Sequence, residues 1–204
     1  MHATSYLTPD MLNLRTYIVR EHIGLLKISG AFDIIDPATQ QKIAEAREEL
    51  GTFQKFLRLF VNRALLSTSV KVYEASGTQL GSCVFSIDRG MALFRSHVTV
   101  RDANGTPIGS LKSKFLSLGG AFTVFNSADQ ELATIKGDWK GWNFKFLRGT
   151  EELGTISRKW GGLGKELFTT ADSYVISLNG EPDPALNLML LAAGLSIDMV
   201  YKTK

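Results

Sequence analysis

The feature that most constrains this 204-residue chain is its last apolar run, PALNLMLLAAGLSIDMV, from Pro184 to Val200. Between Pro184 and Ile197 no residue is charged, and the polar ones, Asn187 and Ser196, are small. Leu186, Leu188, Met189, Leu190, Leu191, Leu195 and Ile197 trace no single stripe; they go round the whole circumference of a helix. A helix that is apolar on every side is wrapped in protein or lies in lipid. The uncharged stretch from Pro184 to Ile197 rises about 21 Å as a helix, and a bilayer core needs roughly 20 apolar residues, so it is too short to span. The spacing predicts a buried central helix over about 184–200, closed off by Asp198, Lys202 and Lys204.

The rest of the chain must then wall that helix in. Residues 1–16 read as a loose, polar N-terminal arm, and residues 17–204 as a single domain. Beyond the arm a short pattern recurs after each turn cluster: an apolar residue, then Gly or Ala, then a polar residue. It appears as Ile43-Ala44-Glu45, Leu80-Gly81-Ser82, Ile108-Gly109-Ser110, Leu132-Ala133-Thr134 and Leu153-Gly154-Thr155. The preceding connections carry Asp-Pro, Ser-Gly and Asn-Gly pairs, which punctuate hairpins. Alternation supports strands: Ala133, Ile135, Gly137 and Trp139 share one face, and Thr134, Lys136, Asp138 and Lys140 the other. Trp142, Phe144 and Phe146 then alternate with Asn143, Lys145 and Leu147. Small residues inside strands imply that another backbone comes close, and the C-terminal helix is the candidate. Five such hairpins and a sixth over Lys165–Leu178 give twelve strands. So many antiparallel strands are best accommodated by closing the sheet, which removes its edges and creates an interior to fill. The expected fold is mostly β: a closed twelve-stranded antiparallel barrel around the helix. Within the first gap, Phe53, Phe56, Leu57 and Phe60 fall at helical spacing among Lys55, Arg58 and Arg63, predicting an amphipathic helix over about 52–62 that caps the barrel or lies on a membrane.

At this point the order of elements resembles the tubby-like superfamily, in its phospholipid scramblase and LURP-one-related branch. The resemblance runs from about Tyr17 to the end. It rests on DIIDP (Asp33–Pro37), DANGTPIG (Asp102–Gly109), KGDWKGWNFKF (Lys136–Phe146) and the tail from Ala171 and Asp172 to Ile197 and Asp198. It implies the same barrel around a central helix, and binding of phosphoinositide or anionic phospholipid at membrane surfaces. It also implies a calcium segment before the helix. Thr170 stands where that segment should open on an aspartate, which leaves Asp172 and Asp183 as candidate calcium ligands. Calcium wants six to eight oxygens, more than this loop offers. The proline-rich extension and the cysteine cluster of scramblases are missing from the sequence.

The other chemistries fit poorly. A net charge of +3 permits attraction to anionic lipid or nucleic acid without demanding either. The single Cys83 makes no intramolecular disulfide, and neither a secretory signal nor a lipidation motif is legible. The expected location is cytoplasmic, peripheral to a membrane. His97 reads as a strand residue and Cys83 as core, with no zinc spacing or nucleophile partner. Trp160–Glu166, WGGLGKE, fails as a phosphate loop because Lys159 and Glu166 stand at defining positions. No cofactor or catalytic constellation is expected, so the chain reads as a non-enzyme. The candidate lipid-binding residues are the basic ones interleaved with aromatics: Lys136, Lys140, Lys145, Arg148, Arg158 and Lys159. Single-stranded nucleic acid would need exposed aromatic platforms and is disfavoured. The alternatives are a protein-interaction module without a lipid role and a scramblase-like protein.

Overall fold

A computed structural model of the chain describes residues 10–22, 30–49, 67–76, 79–90, 97–113, 121–138, 141–159, 161 and 173–201. The amphipathic segment over 52–62 and Lys140 lie outside the described residues. The twelve strands are β1 (Thr16–Glu21), β2 (Ala31–Ile35), β3 (Lys42–Glu49), β4 (Thr68–Ser76), β5 (Gln79–Arg89), β6 (His97–Asp102), β7 (Pro107–Ser113), β8 (Ala121–Asn126), β9 (Glu131–Asp138), β10 (Asn143–Arg148), β11 (Glu151–Ser157) and β12 (Ser173–Leu178). Each pairs antiparallel with its sequence neighbours, and β1 closes the ring on β12, with Ile18 opposite Val175. This is the expected closed barrel, but the predicted sixth hairpin over Lys165–Leu178 is not formed: Lys165–Thr169 lie outside the described residues, β12 pairs with β11 and β1, and the twelfth strand is Thr16–Glu21. The helix α1 (Pro184–Tyr201) follows the last strand.

From Met189 to Ile197 the helix is buried on every side, as its pattern requires. Met189, Leu190, Leu191, Ala192, Ala193, Leu195 and Ile197 are all essentially inaccessible and share one core with the inward faces of the strands. Each such Leu or Ile contributes about 2 kcal/mol through burial. Asp183 caps the helix: its Oδ1 accepts from the Ala185 and Leu186 N–H groups, satisfying donors that have no intrahelical partner. Ahead of β1, a short 3-10 helix (Asp10–Asn13) buries Met11 and Leu12 against this end of α1. Two side chains tie it down. Asn187 Nδ2 donates to the carbonyls of Leu12 (2.8 Å) and Leu14 (3.3 Å), and the Tyr17 hydroxyl lies 2.9 Å from the Met11 carbonyl.

The recurring apolar-small-polar pattern marks a β-bulge. In β3, Ala44 faces Ile34 and Lys42 faces Ile35, leaving Ile43 without a partner. Ile108, Leu132 and Leu153 are skipped in the same way in β7, β9 and β11. A bulge puts an extra residue into one strand and re-aims its side chain. Here the extra apolar residue packs on the core beside the small one. The small residues meet something other than expected, however. A Cβ on Gly154 would lie 2.3 Å from the Ser177 carbonyl of the neighbouring strand, and one on Gly81 would meet Glu74. Only Gly109, of these three glycines, faces the helix, where a Cβ would come within 2.5 Å of both Met189 Cε and the Phe125 carbonyl. The sequence pattern thus records tight strand-to-strand packing at the bulges more than helix contact.

Gly109→Ala is expected to cost about 2 kcal/mol, because the Phe125 carbonyl is backbone and cannot swing away. Gly90→Ala, where an added Cβ meets nothing, should be neutral or stabilise by a few tenths of a kcal/mol, about the lower limit for removing glycine freedom from the unfolded chain. Denaturant unfolding of the two variants against wild type measures the contrast.

Candidate functional site

The basic residues picked out by their interleaving with aromatics are not all in one place. On the outer wall Lys136 of β9 stands directly opposite Lys145 of β10, and both are exposed. The inward residues beside them, Ile135, Phe144 and Phe146, are buried, so the alternation holds as expected. Arg148 is exposed at the hairpin end of β10, where its Nε donates to the Leu132 carbonyl at 3.5 Å. Arg158 follows β11 at the opposite end, with its guanidinium 4.4 Å from the Trp142 ring centroid, and Trp142 in turn packs on Tyr174. Lys159 beside it is exposed.

Directly opposed like charges on a sheet destabilise it by a few tenths of a kcal/mol or more, about the inverse of what an opposite-charge pair gains. Elsewhere the wall avoids this cost. Lys71 pairs with Glu49 at 2.7 Å, Arg101 with Asp88 at 3.1 Å and Lys112 with Asp129 at 2.7 Å. Hydrogen bonding to Glu49 holds the Lys71 ammonium above its usual pKa, and Lys71 and Tyr73 together hold Glu49 below. Lys145 reaches Glu152 at 2.6 Å. Among the described residues, no carboxylate pairs with Lys136, Arg148 or Lys159. Lys136 is therefore a cation without a described carboxylate, standing beside Lys145, whose own charge Glu152 offsets.

A second cluster escaped the sequence reading. Asp33 of β2 and Glu45 of β3 are cross-strand neighbours, nearly buried, on the outer face. Asp33 is contacted by His22 at 2.7 Å and Arg20 at 3.1 Å; Glu45 is contacted by Lys42 at 2.9 Å and by Arg47. Burial works to raise both carboxyls, but hydrogen bonds outweigh it, from His22 and Arg20 at Asp33 and from Arg47 and Lys42 at Glu45. Both carboxyls sit below their ordinary pKa values. His22, Asp33 and Glu45 converge closely enough to hold a metal ion, yet the Lys42 ammonium, 2.9 Å from one carboxylate and 3.6 Å from the other, already occupies the cation's place. The cluster is a brace between β1, β2 and β3 in which Arg20, Lys42, Arg47 and His22 surround two carboxylates. Only the Asp33 in DIIDP hinted at it, because its members come from separate strands.

Asp183 is engaged as the helix cap, Glu181 pairs with Arg15 at 2.9 Å, and Asp172 lies outside the described residues. A cleft of 360 Å³ opens at the hairpin end between Met11, Ile43, Ala75 and Leu80. Its charged lining is Asp10 and Glu74, so it would repel an anion. Among the described residues no helix is long and apolar enough to cross a membrane.

The brace makes stability sensitive to acid. Both carboxyls have lower pKa values folded than unfolded, so their stabilisation is full above the unfolded values, near about 4, and is lost as pH falls through the folded ones. Glu45→Gln should lower stability at neutral pH by about 2 kcal/mol, the scale of a hydrogen bond to a buried charge. It should also flatten the acid limb of a stability–pH curve, which unfolding between neutral pH and about pH 3 would show.

Among curated proteins no match to the chain was found, and among solved structures none was found either. The family model described as Scramblase matches residues 31–204, a stretch that begins with β2, takes in the Lys136–Lys145 pair and ends with the enclosed helix. Together with the closed barrel that the tubby-like resemblance implied, this match shows that the chain belongs to the Scramblase family.

Proposed function

We propose that the chain is a non-enzymatic module that binds anionic phospholipid or phosphoinositide at a membrane surface, with the outer-wall lysines as its contact. The observation that carries this reading is the Lys136–Lys145 pair: two exposed ammonium groups side by side on neighbouring strands, one of them without a carboxylate among the described residues. A phosphate group bridging two lysines would relieve their repulsion, and each basic residue near an anionic surface adds about 1 kcal/mol of attraction. Membership of the Scramblase family supports a lipid-facing role. The wide interior that a lipid tail would need is instead filled by α1 and the aromatic core, so the proposed contact is with headgroups on the outside of the barrel.

The repulsion gives a test that separates binding from folding. Lys136→Glu replaces a like-charge pair by an opposite one and should raise stability by about 0.5 kcal/mol. The same change should weaken co-sedimentation with vesicles containing phosphatidylserine or phosphatidylinositol bisphosphate, as should the triple Lys136, Lys140 and Lys145→Ala variant. Sedimentation of both variants equal to wild type would remove the wall lysines as the contact. A scramblase-like activity is a separate outcome, read by dithionite quenching of labelled lipid in proteoliposomes.

A further inference from the structure

At the mouth of the barrel one copy of the bulge device is broken. In four copies of the apolar-small-polar pattern the apolar residue, Ile43, Ile108, Leu132 or Leu153, is skipped by the partner strand and packs on the core. The fifth, Leu80 of β5, instead stays in register opposite Ala75 of β4, and the β4–β5 register breaks beside it, at Glu74. On its other side Glu74 stands opposite the buried Ala44 of β3, two positions beyond the Val72–Ala46 pair. Val70 and Val72 point into the core, so strand alternation turns the Glu74 carboxylate inward at the rim. These residues border a cleft of 360 Å³, with Met11, Ile43, Ala75 and Leu80 as its apolar walls and Asp10 and Glu74 as its charged lining.

The two carboxylates of the cleft are left over from the pairing of their neighbours. Glu45 is matched by Lys42 and Arg47, Glu49 by Lys71 and Asp88 by Arg101. Among the described residues no cation pairs with Asp10 or Glu74. Glu74 is half-buried among aliphatic side chains, where a charge is costly unless a cation or hydrogen-bond donors meet it. The cleft thus offers an anionic grip and an aliphatic channel together. A calcium ion, which wants six to eight oxygens, would find too few here. A quaternary ammonium has no N–H to donate and is recognised by aromatic faces, and the described lining contains no Phe, Tyr or Trp. A primary ammonium brings three donors for carboxylate oxygens, and its methylene chain packs on apolar walls.

We propose that this cleft binds a primary ammonium group on an aliphatic chain, carried by a free polyamine or by a lysine side chain of another protein. The site lies between β3, β4 and β5, across the ring from Lys136 and Lys145 on β9 and β10, and it does not depend on the lipid-binding reading. Isothermal titration calorimetry of the full chain with spermidine, with cadaverine and with a terminally blocked lysine tripeptide tests it. Binding of the free amines alone assigns the site to a polyamine, and binding of the tripeptide assigns it to a lysine side chain. Tetramethylammonium, which has the charge without donors, and methylammonium, which has the head without the chain, should each bind about tenfold more weakly. Glu74→Gln should weaken binding by about tenfold, the scale of one charge-assisted hydrogen bond. Glu151→Gln, which removes an exposed carboxylate outside the cleft, should leave binding unchanged. Since no described cation holds Glu74 in the fold, the Glu74→Gln protein should unfold at no lower denaturant concentration than wild type. Equal weakening by the two substitutions, or tetramethylammonium binding as tightly as spermidine, reduces the attraction to general charge and overturns the site. Absence of binding by all of the amines overturns it as well.

Discussion

Everything in this structure depends on enclosing one helix that has no polar face. A helix of this kind gains no stability at a surface, because one side would always expose apolar area at about 25 cal/mol per Å². A ring of antiparallel strands with no free edge meets that requirement, and the requirement runs both ways. A barrel this wide without a filler would leave voids that its inward side chains could not close. Ala192, Ala193 and Gly194 let the filler fit: at Gly194 even a methyl group would lie 2.4 Å from Ile176 Cδ1. The helix and the wall therefore stabilise each other through one shared core.

The same enclosure explains the two unlike ends. At the hairpin end the wall must narrow over the start of the helix with very short turns. It does so by repeating one device: a bulge that turns an extra Ile or Leu inward, beside a turn held by a carboxylate or amide. Asp36, Asp102 and Asn126 each accept backbone N–H bonds two residues on, and Gln40, Gly105 and Asp129 take the left-handed conformation that completes each turn. Turns of this type leave little room for large side chains, so that end is polar by construction. The longer connections carry ten of the chain's 23 Lys and Arg residues.

How much of this could be read in the sequence depended on whether the signal was local. The helix was legible because its all-round apolar run is contiguous. The strands were legible because Ala133 to Phe146 alternate with period two. The hairpin motif was visible as a repeat, but its cause was not, since a bulge is a relation between two strands and only the register of Ile43 or Leu153 against the partner exposes it. For the same reason the brace of His22, Asp33 and Glu45 left no spacing to find. The anchoring of Met11 and Leu12 gave no periodic sign either, because it rests on hydrogen bonds that Asn187 and Tyr17 donate to backbone carbonyls. Of the basic residues, alternation placed Lys136 and Lys145 on the outer wall correctly, but it could not tell that Arg158 would lie over an indole ring.

That difference among the cations bears on what the family resemblance can carry. Arg158 is committed to packing: its guanidinium covers Trp142, which occupies a left-handed backbone position (φ 47°) that a bulky residue adopts only under support from its surroundings. Lys42 and Arg47 are committed to neutralising Glu45. Lys136 has no such role among the described residues; it stands opposite Lys145, which is itself paired with Glu152. Under the proposed lipid-binding role Lys136 is the cation left for a headgroup, and with the barrel interior filled by α1 that contact falls on the outer surface.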